Sequence, residues 1–372
     1  MATNRSTDAH RCKKPYELPP LPVIDWSLVG STKPEVVDLG SPSASDPMPR
    51  ADIAVMTWTS AEWAALDHVF VNSDKEAYAS SDAFRDGWHW RSSGGSDNNS
   101  HLWGYYAMVK ITPDAGGDPL RVLLFKADAH LAHPPYGAGM MKMVEVLISE
   151  AAPKRLYSIG TAGGATISEK LGDTAVTNAG KIQLKLEENK KLGIDGETVT
   201  GDWFPSTARF GDVEDKLLYK LEPLIKEPFL QNMMCEALYD NGYGDKSWIG
   251  KYDVTDMMND AMRDLDAPKG LDKKGVPLLT TDYYFISSID DTTGYSALEM
   301  DDAVLGLQAQ KQDTAFCFVR NVSDPVVPMK TGGGEDIPQE LRESWSSQIY
   351  SNFGFYTSMN GALITWAAIV AD

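Results

Sequence analysis

Little in this 372-residue chain can build a covalent or metal scaffold. Its three cysteines, Cys12, Cys235 and Cys317, are odd in number and far apart, with no CxxC or Cys/His ligand pattern joining them. A disulfide framework is therefore not suggested, and Cys317, inside the apolar run AFCFVR, reads as a small buried hydrophobe. Basic residues are scarce beside acidic ones, 34 against 53, for a formal charge of -19. Such a balance argues against a general nucleic-acid or anionic-membrane surface, although it leaves room for a local anion pocket. No uninterrupted apolar run reaches the length of a membrane span. MATNRSTDAHRCKKPYELPP lacks the apolar stretch of a secretory signal, so the expected compartment is the cytoplasm. With 42% apolar and 23% charged residues, what remains is an ordinary globular composition with enough chain for a large core.

Residues 1–50, rich in Pro, Ser and charge, read as an N-terminal extension with a short strand around Val23 to Leu28. Regular patterning begins at ADIAVMTW, with an apolar strand over Ile53 to Met56. SAEWAALDHVF follows as a helix for which Ser60 is a plausible cap. GWHWRSSGGSDNNSH reads as a loop or hairpin excursion. Strands over Tyr105 to Ile111 and Arg121 to Lys126 precede a helix over Gly137 to Glu150. Strands over Arg155 to Ile159 and Asp173 to Thr177 come next. This order of strand, helix and strand predicts one large α/β domain over 51–372, with a mixed, mostly parallel twisted sheet flanked by helices. A charged segment at about 181–275 reads as a long insertion, with helical patterns around Leu218 to Ile225 and Phe229 to Tyr239. Val276 to Thr280 resumes the strand pattern. A helix from about Ala297, a strand over Thr314 to Val319 and a helix from about Pro338 to Val370 complete it.

Three segments carry chemistry. SIGTAGGA places Gly160, Thr161, Ala162, Gly163 and Gly164 in a bend at the exit of an apolar strand, where glycine lets a ligand approach closely. It is neither the Gly-x-Gly-x-x-Gly fingerprint nor a P-loop. SALEMDDAVLGLQAQ gives Ser296 and Glu299 the spacing of a capping box. It puts Met300 on an inward stripe and Asp301 in the first helical turn, as a favourable helix-end charge or as a grip on sugar hydroxyls. FCFVRNVSDP runs an apolar strand into Arg320, Ser323 and Asp324, where Asp324 serves either as a cap or as a proton donor. His130 and His133 are three residues apart, but Pro134 and Pro135 follow and no third ligand completes a metal motif. No metal or organic cofactor is expected.

In this order, the three segments resemble the nucleoside phosphorylase/nucleosidase superfamily. ADIAVMTWTSAEW is similar to its opening strand and loop, and is nearest there to adenine-nucleoside hydrolases of the methylthioadenosine/adenosylhomocysteine nucleosidase kind. The resemblance implies a purine nucleoside as the small-molecule partner. Glu62 would align or partly deprotonate a water and Asp324, supported by Ser323, would protonate the departing purine. It also implies Met300 beside the ribose, Asp301 and Glu299 in the ribose segment, and a base-stacking ring in TTDYYF. Tyr284 is the nearest match for that ring, with Tyr283 or Phe285 in another register. The family architecture implies a homodimer or larger homo-oligomer.

Three departures qualify the match. Asp301 stands where the family usually has Glu. Thr57 to Glu62 lacks the Gly-Asp-Pro-x-Arg phosphate loop of the phosphorylases, which points to water as nucleophile. KADAHLAHPPYG replaces the usual glycine- or arginine-containing turn, leaving Lys126, His130 and His133, with Arg320, as anion contacts in the alternative reading. That alternative is phosphorolysis with inorganic phosphate as co-substrate; AMP nucleosidase and a non-catalytic nucleoside-binding protein are the others. Trp203 and Phe204 in the insertion would either cover the 5' side of the nucleoside or bury the insertion itself.

Overall fold

The computed structural model describes residues 18–78, 86–93, 102–225, 265–284 and 292–372, with positions 230, 233, 237, 262 and 286 besides. The expected excursion over 82–101 lies only partly within these residues. Phe285, Cys12, Cys235 and nearly all of the helical pattern over 229–239 lie outside them.

Alternation along the central strands accounts for the layers. In β2 (Ile53–Thr57), Ile53 and Val55 enter one hydrophobic core while Ala54 and Met56 enter another. In β13 (Ala315–Asp324), Cys317 and Val319 join the first core, Phe316 and Phe318 the second. Side chains two apart share a face of a strand, so apolar residues at every position require cover on both faces. Helices α1 (Ser60–Phe70) and α6 (Gln339–Val370) pack together on the first face, and α2 (Tyr136–Ala151) and α5 (Asp302–Lys311) on the second. This is the expected mixed α/β sheet flanked by helices.

Its centre is parallel: β5 (Leu120–Ala127), β2, β6 (Arg155–Gly163) and β13 lie side by side in one direction. Antiparallel partners flank them, β4 (Leu102–Ile111) beside β5 and β7 (Thr174–Thr177) beside β13. β1 (Glu35–Val36) and β3 (His89–Ser92) add to β4. Past β7 the chain forms β8 (Ala179–Gln183), the one-turn helix α3 (Glu187–Lys190), β9 (Thr198–Thr200), α4 (Phe210–Lys216) and β10 (Gly270–Asp272). β11 (Leu278–Thr281) then runs parallel to β8, and β12 (Leu298–Glu299) parallel to β11. β12 touches the end of β6 at the pair Leu298 and Gly163. The carboxyl ends of β2, β6 and β13, with the short β12, thus meet in one place.

Several expectations are corrected. Val23 to Leu28 is not a strand: a 3-10 turn spans Trp26–Val29, capped by Asp25, and the Trp26 ring packs 4.6 Å from Trp366. Thr59, not Ser60, caps α1, because its hydroxyl accepts from the Glu62 amide. The helix expected from Ala297 starts at Asp302, since residues 298 and 299 pair as β12. Leu218 to Ile225 is turn rather than helix. SIGTAGGA is extended rather than bent, its ladder with β13 continuing through Gly163. The last helix runs unbroken through 32 residues. Among the described residues no helix is long and apolar enough to cross a membrane.

Candidate active site

A cavity of about 210 Å³ opens where these strand ends meet. Of the residues singled out in the sequence, Glu62, His130, Thr161, Ala162, Gly163, Tyr284, Glu299, Met300, Asp301, Arg320 and Asp324 line it. Five side chains that sequence reasoning passed over also line it: Trp58, Thr59, Thr281, Leu298 and Tyr350.

Glu62 is fixed by the start of α1. Its Oε2 accepts from the Thr57 hydroxyl at 3.0 Å and from the amides of Trp58 and Thr59 at 2.9 and 2.8 Å. Its Oε1 accepts from the amide and hydroxyl of Thr161 at 2.8 and 2.7 Å. Burial works to raise this carboxyl, but Arg320 and the donors from Thr161 and Thr59 outweigh it and hold it below the usual range. Five donors fill the roughly four lone-pair positions of a carboxylate. Water therefore reaches Glu62 only by displacing a donor, most readily a threonine hydroxyl, which can rotate. The expected partial deprotonation of water does not suit such a weak base. Gly160 makes this packing possible, because a Cβ there would stand 2.5 Å from Arg320 Nη1 and 2.7 Å from Glu62 Oε1.

Arg320 leaves β13 toward the same end of the cavity. Its Nε donates to Asp302 Oδ2 at 2.7 Å, its Nη2 to Asp302 Oδ1, and its Nη1 to the Thr161 carbonyl at 3.1 Å. Glu299 Oε2 lies 3.3 Å from Nη2. Burial opposes the charge on Arg320, yet Asp302 and Glu299 more than offset it and raise its pKa. Asp302 in turn accepts from the Ser158 hydroxyl at 2.5 Å, and Ser158 accepts from the Trp58 indole at 3.0 Å. Asp302 was missed because it follows Asp301 in what reads as an ordinary acidic first turn.

Glu299 acts as a cap, although not in a box with Ser296. From β12 its Oε2 accepts the amides of Asp301 and Asp302, at 2.5 and 2.9 Å, and its Oε1 accepts from the Thr280 hydroxyl. These amides begin α5 and have no partner inside the helix. Burial, with the Asp302 charge, pushes the Glu299 carboxyl up to about 8.

Asp301 sits at the N-cap of α5 but bonds none of that helix's amides. Its Oδ1 accepts from the Leu131 amide at 3.1 Å, and its Oδ2 lies 3.3 Å from His130 Nε2. Burial raises its pKa well above the ordinary aspartate value. His130 Nδ1 accepts from the Ala132 amide at 3.1 Å, so the ring carries its proton on Nε2. Burial lowers its pKa to about 4, leaving His130 neutral at physiological pH.

Asp324 occupies the other end. A bulge between Val322 and Asp324 shifts the register of β13 at its exit. There Asp324 accepts from the hydroxyls of Ser323 at 3.0 Å and Ser346 at 3.3 Å, while Tyr284 donates to Ser346 at 2.8 Å. Burial lifts this carboxyl to about 7, with the hydroxyl donors only moderating the shift. Ser346 and Tyr350 stand one turn apart on α6. That spacing was the available signal, hidden in a stretch that reads as an amphipathic helix.

The remaining expected contacts are not brought to the cavity wall. Lys126 pairs with Asp128 at 3.2 Å, and the His133 ring lies tilted 5.4 Å from that of His130 without lining the cavity. Gly164 and Ser323 lie behind the wall, Ser323 acting through Asp324. Tyr283 turns away, its hydroxyl accepting from Gln183 and its ring under Lys185. Trp203 packs edge-on against Tyr157 at 5.4 Å and, like Phe204, is half-buried against the first core, so the pair buries the insertion. Among the described residues no cluster of His, Cys, Asp and Glu is arranged to hold a metal ion.

No family model matches the chain, and no curated protein matches it. Solved structures do. Futalosine hydrolase of Helicobacter pylori aligns with a TM-score of 0.44 at 10% identity, over 85% of this chain and 96% of that one. The 5'-methylthioadenosine/S-adenosylhomocysteine nucleosidase of Neisseria meningitidis, in complex with methylthio-immucillin-A, aligns at 0.43 and 12%, over 86% and 99%. The Helicobacter pylori nucleosidase with butyl-thio-DADMe-Immucillin-A aligns at 0.44 and 9%, over 86% and 98%. The likeness is one of fold.

Proposed function

We propose that the chain is a purine nucleosidase that hydrolyses the N-glycosidic bond of an adenine nucleoside. The observation that carries this reading is Asp324, a cavity carboxyl lifted to about 7 by burial and therefore able to hold a proton near neutrality. Cleavage of a purine riboside leaves electron density on the base and positive character on the sugar. As the C1'–N9 bond breaks, Asp324 protonates N7 of the departing purine, a step of the kind worth about 10²–10⁴-fold; water adds at C1' and releases its proton to solvent, from which the Asp324 acid is restored. At the far end, the Glu62 carboxylate faces the positive sugar across Thr161 and stabilises it electrostatically. Asp301 holds ribose hydroxyls, and the Tyr284 ring lies against the base.

Water is favoured over phosphate as nucleophile by the state of the cations. Arg320 is the one lysine or arginine among the described residues of the cavity wall, and it is committed to Asp302 and Glu299. His130 is neutral, and Lys126 is paired away from the wall. A phosphate dianion would find several carboxyl groups and no uncommitted positive charge.

The test is incubation with adenosine, methylthioadenosine, inosine and AMP, with and without phosphate, followed by separation of bases and sugars. Free adenine with ribose or a substituted ribose, released without phosphate, is expected. Ribose 1-phosphate overturns hydrolysis, and tight binding without products makes the chain a nucleoside-binding protein. Adenosine should be preferred over inosine: protonated Asp324 donates to N7, and its second oxygen accepts from the 6-amino group but opposes a 6-oxo group. An unmatched buried polar group costs about 1–3 kcal/mol, or roughly 5–150-fold in kcat/KM. Equal use of inosine removes the 6-amino preference.

A further inference from the structure

We infer that Asn189 is a positioning residue for Asp301, so that the segment following β8 sets the sugar grip of the cavity from outside it. The inference rests on the reading of Asp301 as the ribose contact.

Asn189 is fully buried and every hydrogen-bonding atom of its amide is used. Its Nδ2 donates to the Leu131 carbonyl at 2.8 Å and to Asp282 Oδ2 at 3.1 Å, and its Oδ1 accepts from the Gly137 amide at 2.9 Å. Asp282 itself accepts from the amides of Lys185 and Leu186, at 2.7 and 2.9 Å, which anchors the turn that leads into α3. One asparagine thus joins three pieces of chain: the entry to α3, the loop after β11, and the 130–137 turn at the start of α2.

Residue 131 is the point of transmission. Asn189 holds its carbonyl, and its amide is the group that donates to Asp301 Oδ1 at 3.1 Å. His130, the preceding residue, supplies the contact to Asp301 Oδ2. Both oxygens of Asp301 are therefore oriented by one turn whose backbone is fastened by Asn189. Each oxygen keeps a lone pair for a sugar hydroxyl. Gly137 is part of the same device, since a Cβ there would come 3.0 Å from Asn189 Oδ1 and 2.6 Å from Leu192 Cδ1. Neither Asn189 nor Gly137 lines the cavity, so neither touches substrate.

The experiment compares full-length parent, Asn189→Ala, Asp301→Ala and the double variant on adenosine and on 2',3'-dideoxyadenosine, which lacks the hydroxyls that Asp301 would hold. Asn189→Ala should lower kcat/KM for adenosine about tenfold, as expected for one lost buried hydrogen-bond partner, and leave the dideoxy substrate unchanged. In the Asp301→Ala background it should have no further effect. Equal losses on both substrates, or losses that add to those of Asp301→Ala, overturn the inference. If Asn189→Ala does not fold, Gly137→Ala is read in the same way. Should the parent cleave neither substrate, the nucleosidase reading fails. Calorimetric binding of the two nucleosides then tests Asn189 separately: weaker adenosine binding with unchanged dideoxyadenosine binding supports it, and no difference overturns it.

Discussion

The two ends of the cavity hold carboxyl groups that are both drawn away from water, Glu62 buried and Asp324 half-buried, and that differ in the company they keep. At the Glu62 end, three backbone amides, two threonine hydroxyls and a guanidinium face one carboxylate, and its pKa falls below the usual range. At the Asp324 end the donors are hydroxyl groups alone, and burial prevails, lifting the carboxyl to about 7. Desolvation acts on both, so the Arg320 charge beside Glu62, together with the donors, decides which group keeps a proton. One fold thereby places a lasting negative charge at one end of a cavity and a transferable proton at the other. That polarity suits a bond whose cleavage leaves a positive sugar and a negative base.

Removing the cation breaks the comparison most severely. Arg320→Met takes the guanidinium from between Asp302 and Glu299 and leaves both without it in a buried setting. Breaking a buried ion pair in this way costs about 3–5 kcal/mol, and urea denaturation should show a corresponding loss of stability. A loss below about 1 kcal/mol would mean that these carboxyls simply take up protons when Arg320 goes. Asp324→Asn attacks the other end. It should lower kcat/KM for adenosine by about 10²–10⁴-fold while the unfolding midpoint stays close to that of the parent. In the parent, the Asp324 proton is lost as pH rises through about 7, so kcat/KM should decline above that pH, and this limb should vanish in the variant. An unchanged limb would assign it to another group.

Much of this polarity was legible in the sequence at the strand exits. RNVSDP and LEMDD put charged residues directly after apolar runs, where a parallel sheet presents its carboxyl ends, and both reach the cavity. Glu62 was found through the resemblance of ADIAVMTWTSAEW to a nucleosidase opening strand and loop; three of its five donors are local, but the other two come from Thr161, 99 residues away, which no local pattern reveals. Asp302 was hidden by its neighbour, and Ser346 and Tyr350 by helical periodicity, since a serine on a helix reads as solvated and a tyrosine as part of its packed face. The glycine segment was legible as a place of close approach and misread as a bend. Gly160 is needed for the room that Glu62 and Arg320 take, not for a left-handed backbone. Lys126 and His133 were drawn in with His130 because KADAHLAHPPYG stands where the family has a glycine- or arginine-containing turn; Lys126 instead pairs with Asp128, and the His133 ring lies beside His130 without reaching the cavity.

The gentlest test sharpens the comparison rather than breaking it. If donors decide which carboxyl keeps its proton, deleting one from Asp324 should move that group further from Glu62. Ser346 is suited to this, because its hydroxyl donates to Asp324 Oδ1 at 3.3 Å and accepts from Tyr284 at 2.8 Å without lining the cavity. A hydrogen bond to a carboxylate favours the charged form, so Ser346→Ala should raise the Asp324 pKa above its present value near 7. The declining limb of kcat/KM would then shift to higher pH, with the acid form persisting further into the alkaline range. At pH well below the limb, where Asp324 is protonated in both proteins, the rates should differ by less than about tenfold, the worth of one neutral hydrogen bond. Tyr284 loses its Ser346 acceptor in the same variant and keeps its interaction with Asp324, and any effect on base stacking appears as a rise in KM that does not change with pH. A limb that moves to lower pH, or does not move at all, would show that burial alone sets the state of Asp324 and that its hydroxyl partners do not contribute.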